Sequence, residues 1–154
     1  MIDSVSLAIL GAGLSIALAG IGTVIGTYYV ASGGAGLVSV KPKTFGLVLL
    51  CSAMPSSQGI YGFLASILIL QKAAVLGDGD LISMQTGLGL LAASVPVGVL
   101  GLVSGMLQGK TLQSALRIIA VNPAEVGKSI ILGALLESMA VFGLLISILI
   151  ISNV

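Results

Sequence analysis

The chain has 154 residues, of which 57% are hydrophobic and only 7% are charged. A water-soluble domain of this size carries about a quarter charged residues, so the composition excludes a soluble globular domain and predicts an integral membrane protein. The net charge of +1 without a basic cluster argues against a nucleic-acid partner, and one cysteine with no histidine excludes an internal disulfide and makes a His/Cys metal site implausible.

Four long apolar runs follow one another along the chain, at about residues 5–31, 45–71, 81–107 and 129–152. Each run is long enough to cross the hydrocarbon core of a bilayer as an α-helix. The N-terminus lacks the basic stretch of a cleaved signal peptide, so we expect the first run to remain as a permanent span. The sequence therefore predicts an all-α membrane protein with four transmembrane helices.

The three connections between these runs differ in charge. Positive charge collects in the first connection, near residues 38–44, and in the third, at 110–128, whereas the second, around 77–80, is net acidic. By the positive-inside rule we expect the first and third connections in the cytoplasm. Both termini would then lie on the outer face of the cell membrane.

An internal repeat relates the two halves of the chain. A shift of 81 residues superposes Pro42 on Pro123 and brings a Ser-Ile-Leu-Ile run onto an identical run at residues 147–150. This repeat predicts a helical hairpin duplicated in tandem, with residues 1–80 and 81–154 as two copies in the same orientation.

Glycines concentrate in the first and third spans. Gly22 and Gly26, and likewise Gly101, Gly105 and Gly109, are spaced four residues apart and therefore line one helix face. Small residues in this pattern let helix backbones approach closely in lipid. We expect the first and third spans to form a tight layer with the second and fourth on the lipid side, and ordinary packing within a monomer is the alternative.

One carboxylate, that of Glu137, lies inside the fourth apolar run, and no other acid lies inside any of the runs. A charge near the centre of a bilayer costs at least about 3 kcal/mol, so such residues usually face a partner or an ion pathway. The 81-residue shift pairs Glu137 with Ser56, so one of the two carboxylates of a perfect duplication is missing.

The second span carries a polar group of its own. Ser57, Gln58 and Tyr61 are spaced so that they share one face of a helix. Pro55 cannot donate a backbone hydrogen bond, so it is expected to kink this helix and to make neighbouring carbonyl oxygens available as ligands.

Depth along the helices brings these groups together. Counted from the matched prolines, Ser57 and Glu137 lie at nearly the same level, about 21 Å from their helix starts. Gln108 reaches that level if the third helix runs well past Lys110, whose side chain would then snorkel toward the cytoplasm.

The residue types indicate the kind of cargo. One carboxylate with neutral oxygens from serine, glutamine and a backbone carbonyl balances one monovalent cation, whereas a doubly charged ion needs more carboxylates. A proton requires less polarity than this, so the residues favour Na+ over H+. For Gln58 and Gln108 interhelical hydrogen bonding is the alternative role. The Tyr61 hydroxyl is expected to hold the Glu137 carboxylate, with a plain apolar contact as the alternative.

These residues together resemble the V-type ATPase proteolipid, the membrane component of the rotor ring known as c or K, over essentially the whole chain. The likeness is closest to the sodium-translocating bacterial form, whose Pro-x-Thr-Gln-Gly-x-Tyr-Gly-Phe motif matches residues 55–63 and whose Gln-Gly-Lys matches 108–110. Ser57 replaces the threonine of that motif and keeps its hydroxyl. The resemblance implies that the Na+ ligands are Glu137, Gln108, Gln58, Ser57 and the backbone carbonyl of Met54.

The resemblance also implies a mechanism. Identical subunits form an oligomeric ring in lipid, and each Glu137 takes an ion from a half-channel in a stator membrane subunit, whose arginine displaces the ion at the exit. ATP hydrolysis elsewhere in the complex turns the ring through a central-stalk subunit docked on the cytoplasmic loops. The chain itself is then an ion-translocating subunit and not an enzyme.

Three other functions stay open from the sequence. A proton-carrying ring of the same family would show no sodium protection of Glu137 against a carbodiimide. An independent four-helix carrier or channel would transport ions in liposomes without partners. A purely structural assembly protein would keep its function when Glu137 is replaced by Gln.

Overall fold

Helices make up every regular element of the computed structural model, which describes residues 3–76 and 82–154. Four stretches are long and apolar enough to cross a membrane, and this confirms the predicted all-α architecture with four spans. The first stretch is α1, the second combines α2 and α3, and the third and fourth contain α4 and α5. Their bounds are α1 Ser4–Val40, α2 Phe45–Ala53, α3 Ser56–Lys72, α4 Met84–Val121 and α5 Val126–Asn153, with 3-10 turns at Pro42–Thr44 and Pro123–Glu125.

Two predictions fall outside the described residues. One is the boundary between the hairpins at residues 80 and 81, where the third predicted span also begins. The other is the acidic turn at 77–80. After this gap, Ser83 caps α4 by accepting a hydrogen bond from the Thr86 amide at 3.1 Å.

The longest helices extend beyond the apolar runs that predicted them. α1 has 37 residues and α4 has 38, which is about 56 Å at 1.5 Å per residue, against a hydrocarbon core of about 30 Å. Hydropathy marks where a helix leaves the hydrocarbon and not where the helix ends. Gln108 therefore lies well inside α4, which continues past Lys110.

The turns within the two hairpins are built alike, each with a proline that opens a 3-10 turn. They occupy residues 41–44 and 122–125. The connections predicted at 38–44 and 110–128 are thus wrong in length, because their outer residues continue the helices. The amine of Lys41 donates a hydrogen bond to the carbonyl oxygen of Ala120, so the first turn is bonded to the last residues of α4, just before the second turn.

Glycines set the distance between α1 and α4. A Cβ atom on Gly22 would lie 2.5 Å from the carbonyl oxygen of Gly101, and one on Gly105 would lie 2.8 Å from the carbonyl carbon of Gly22. Backbone also meets backbone between Gly26 and Gly109. The tight contact predicted between the first and third spans is confirmed, and α3 and α5 pack against α1 and α4 respectively.

The second span is broken where the sequence predicted a kink. α2 ends at Ala53 and α3 begins at Ser56, so Met54 and Pro55 form a turn between two helices. The proline within α4, Pro96, leaves that helix continuous. The amide next to it, that of Val97, donates to the hydroxyl of Ser147 on α5 at 3.1 Å.

Candidate functional site

Three oxygen atoms come together at the break between α2 and α3. The Ser57 hydroxyl donates to the Met54 carbonyl oxygen at 3.0 Å, and it lies 3.3 Å from Oε1 of Gln58. The same carbonyl also accepts a hydrogen bond from the Ser57 amide at 3.3 Å, in the turn that Met54 and Pro55 form between the two helices. The break thus turns part of the backbone into a possible ligand.

Two glutamine side chains extend this cluster toward α4 and α5. Gln58 and Gln108 are both completely buried. Nε2 of Gln58 donates to Oε1 of Gln108 at 2.9 Å, and Nε2 of Gln108 donates to the carbonyl oxygen of Gly133 at 3.1 Å. The hydrogen bond of each amide nitrogen fixes the direction of the oxygen on the same amide. Oε1 of Gln58 therefore faces the Ser57 hydroxyl, and Oε1 of Gln108 faces Gln58.

The carboxylate of Glu137 is tied to the same region from α5. It is partly buried, and its Oε1 accepts a hydrogen bond from the Tyr61 hydroxyl at 3.2 Å. Tyr61 lies one helical turn beyond Ser57, and Gly133 lies one turn before Glu137. The cluster is therefore linked to α5 at two points, one through Gln108 and one through Tyr61.

Sequence reasoning missed one side chain at this site, that of Thr23 on α1. Its Oγ1 accepts a hydrogen bond from the Gly59 amide at 2.8 Å and donates to the Pro55 carbonyl oxygen at 2.9 Å. A signal was available, since a hydroxyl in an apolar span needs a hydrogen-bond partner. The glycines at positions 22 and 26 led us to interpret this face of α1 as a packing surface, so the hydroxyl of Thr23 was not considered.

The arrangement offers neutral oxygens and a single formal charge. Within residues 3–76 and 82–154 there is no group of three Asp, Glu or Cys side chains that could hold a metal ion. One carboxylate, two amide oxygens, one hydroxyl and one carbonyl suit a hard monovalent cation better than a divalent one. The carboxylate can alternatively be neutralised by a proton.

Comparison with known proteins gives the same picture of the whole chain. The family model for the C subunit of ATP synthase matches residues 10–69 and again 91–150, and the second match begins and ends 81 positions after the first. The chain is 34% identical over 146 residues to V-type sodium ATPase subunit K of Enterococcus hirae, covering 95% of this chain and 90% of that protein. It is also 34% identical over 154 residues to A-type ATP synthase subunit K of Methanocaldococcus jannaschii, covering all of this chain and 66% of that protein's length. The duplicated hairpin is confirmed.

Proposed function

This chain belongs to the family of ATP synthase C subunits and has the proteolipid subunits of V- and A-type ATPases as relatives, and we propose that it carries Na+ across the cell membrane on Glu137. As a multi-pass membrane protein it would act as one copy of a rotor ring in a rotary V-type ATPase. The sodium ATPase named among its relatives supports this choice of ion.

The observation that carries the proposal is the oxygen cluster at the helix break, which Gln108 and Tyr61 link to the helix that carries Glu137. Gln58 and Gln108 are fully buried, and amides withdrawn from water are costly unless they bond something. Together with Ser57 and the Met54 carbonyl they can replace the hydration shell of one Na+ ion, and Glu137 balances its charge. Tyr61 would hold the carboxylate in the orientation that binds the ion.

The neutrality of the loaded site explains how the ring can turn. A bare carboxylate facing lipid is expensive, whereas a carboxylate paired with Na+ carries no net charge. Moving one charge against 100 mV takes about 2.3 kcal/mol, so ATP hydrolysis elsewhere in the complex can drive several ions per event. The chain then serves as the ion-carrying, non-catalytic part of the pump.

The partners follow from the same proposal. A stator membrane subunit would contribute an arginine that displaces Na+, and a central-stalk subunit would dock on the turns at residues 41–44 and 122–125. The contact between Lys41 and the Ala120 carbonyl supports a shared docking face, because it joins the first turn to the end of α4, just before the second turn. Lysines at this end favour its placement in the cytoplasm, with both termini on the outer face.

One observation favours a proton-carrying ring as a second candidate. The hydrogen bond of 2.9 Å between Gln58 and Gln108 lets each amide satisfy part of the other's bonding without an ion. In that case the polar side chains join helices together, and Glu137 exchanges a proton with the stator.

Carbodiimide labelling of Glu137 in the purified ring separates the two candidates. We expect Na+ to protect Glu137 at fixed pH in a saturable way, and to protect it at lower concentrations at the higher of two pH values, since protons compete for the carboxylate. Potassium at equal ionic strength is the control. Labelling that depends on pH alone and ignores Na+ would establish the proton ring instead.

A further inference from the structure

The hydroxyl of Thr23 bridges two backbone groups at the start of α3, directly after the helix break. It donates to the carbonyl oxygen of Pro55 at 2.9 Å and accepts from the amide of Gly59 at 2.8 Å. The two groups lie four residues apart, which is the spacing of a helical hydrogen bond, and Pro55 is the N-cap of α3. A side chain from α1 thus takes part in the hydrogen bonding of α3 at its first turn.

This bridge has a physical reason in a membrane. Backbone groups cannot turn to water inside the hydrocarbon, so those near a break must find partners within the protein. Pro55 is the N-cap of α3, and its carbonyl and the Gly59 amide both belong to the first turn of that helix, directly after the break. A hydroxyl can donate and accept at once, so Thr23 bonds both groups.

Close packing keeps Thr23 in place against the break. A Cβ atom on Gly59 would lie 2.9 Å from the Thr23 hydroxyl oxygen, and one on Gly26 would lie 2.8 Å from Cβ of Pro55. Since both glycines lack that atom, α1 approaches the break without a gap. The position of segment 55–59 is therefore fixed by α1 as well as by its own helix.

Segment 55–59 and the residue before it contain three of the groups in the oxygen cluster. Ser57 and Gln58 lie between the two ends that Thr23 holds, and the Met54 carbonyl directly precedes them. We propose that Thr23 is a positioning residue for the ion site, which sets the spacing of these three oxygens without touching the ion. This inference rests on the proposed sodium function, and it makes α1 the fourth span that shapes the site.

The test is a pair of substitutions at one position. Thr23→Val keeps the shape of the side chain and removes the hydroxyl, whereas Thr23→Ser keeps the hydroxyl. We expect the Na+ concentration that half-protects Glu137 from a carbodiimide to rise about 10-fold in the valine ring, because two hydrogen bonds to backbone groups are lost. The serine ring should stay within about 3-fold of the original.

If Thr23 is a positioning residue, the rate at which Glu137 is labelled without Na+ and the amount of assembled ring should be the same in all three proteins, and only the sodium dependence should change. If Thr23 serves packing alone, the amount of assembled ring should fall in the valine protein while the sodium dependence stays the same. Equal sodium dependence in the valine and original rings would overturn the inference.

Ser104 supplies the matched control, since the 81-residue repeat pairs it with Thr23. It is buried on α4, and its hydroxyl has no hydrogen-bond partner in the part of the chain that the structure describes. We expect Ser104→Ala to leave the sodium dependence within about 2-fold, because no bond to the helix break is lost. A shift equal to that of Thr23→Val would mean that any buried hydroxyl matters, and the inference would be wrong.

A second variant covers the case in which the valine ring does not assemble. Gly59→Ala places a methyl group against the Thr23 hydroxyl and changes no predicted ligand, so it should also weaken sodium protection. Unchanged protection in that ring overturns the inference. If Na+ fails to protect the original ring, the sodium proposal fails first, and the Thr23 variants are then compared by the pH dependence of labelling, where no difference rejects the positioning role.

Discussion

The second helix of the first hairpin is broken at Pro55, whereas its counterpart, α5, runs unbroken from Val126 to Asn153. The repeat pairs Pro55 with Leu136 and Ser56 with Glu137. One copy thus provides neutral oxygens from an interrupted backbone, and the other provides a charge on a continuous helix. The candidate site therefore belongs to neither hairpin alone and depends on the two copies having diverged.

The first helices of the two hairpins show the same divergence in a single hydroxyl. Thr23 on α1 bonds the broken helix beside it, while Ser104 at the equivalent place on α4 has no partner among residues 3–76 and 82–154. The two equivalent positions therefore differ in their contacts, as the second helices of the two hairpins differ in continuity.

Removing the charge of Glu137 should have the largest effect on sodium binding. In Glu137→Gln we expect saturable Na+ binding to the ring to disappear, with affinity lowered more than 100-fold, because an ion in a dry cage loses its counter-charge, a cost of about 3 kcal/mol or more. Binding of radioactive sodium to the purified ring measures this.

Glu125→Gln is the matched control, since Glu125 is partly exposed and pairs with Lys128 at 2.9 Å. Surface pairs of this kind contribute at most about 1 kcal/mol. Sodium binding retained in Glu137→Gln would show that the neutral oxygens bind the ion without the charge of Glu137.

Repairing the break should have the next largest effect. Pro55→Ala restores a backbone donor and lets the second span become one helix like α5. We expect sodium affinity to fall about 30-fold, because the Met54 carbonyl returns to helical bonding and Ser57 and Gln58 shift with it. The melting temperature should not fall, since a proline within a helix costs about 3 kcal/mol.

Pro96→Ala tests whether the loss of a proline from another span also lowers sodium affinity. This proline lies in the continuous helix α4, so its loss should leave sodium affinity unchanged. Labelling of Glu137 across a sodium titration serves for both variants, and an unaffected Pro55→Ala ring would separate ion binding from the break.

The smallest of the three effects concerns the tyrosine. The repeat pairs Tyr61 with Phe142, so Tyr61→Phe makes the first hairpin resemble the second at this position. Loss of the 3.2 Å hydrogen bond to Glu137 should weaken sodium protection about 5-fold. The reference is Tyr28→Phe, since Tyr28 lies exposed on α1. Equal protection in both rings would assign Tyr61 an apolar role.

Much of this organisation could be predicted from the sequence. Apolar length predicted the spans, the repeat predicted two hairpins, and a lone acid in an apolar run singled out Glu137. The resemblance to the V-type ATPase proteolipid is confirmed by the family model and the relatives. These features are local in the chain or periodic along it, so a single sequence contains them.

Other features depend on how helices approach each other and could not be predicted in this way. The bond from Gln108 to the Gly133 carbonyl and the bridge made by Thr23 each join groups on different helices. The ends of α1 and α4 lie beyond the hydrocarbon, where hydropathy gives no signal. The ligand roles given to Met54 and Ser57 stay predictions that the sodium titrations test.

Ser56 occupies the position where a perfect duplication would place a second acid, and this affects how many ions a ring of such chains would move per revolution. Under the proposed function each four-helix unit binds one ion instead of two, so one revolution of a ring of such units moves half as many ions as a perfect duplication would. The same mechanical work is then divided among fewer ions, so each ion can be moved against a larger electrochemical potential difference. The serine at position 56 thus lowers the number of ions moved per revolution and raises the potential difference against which each ion can be moved.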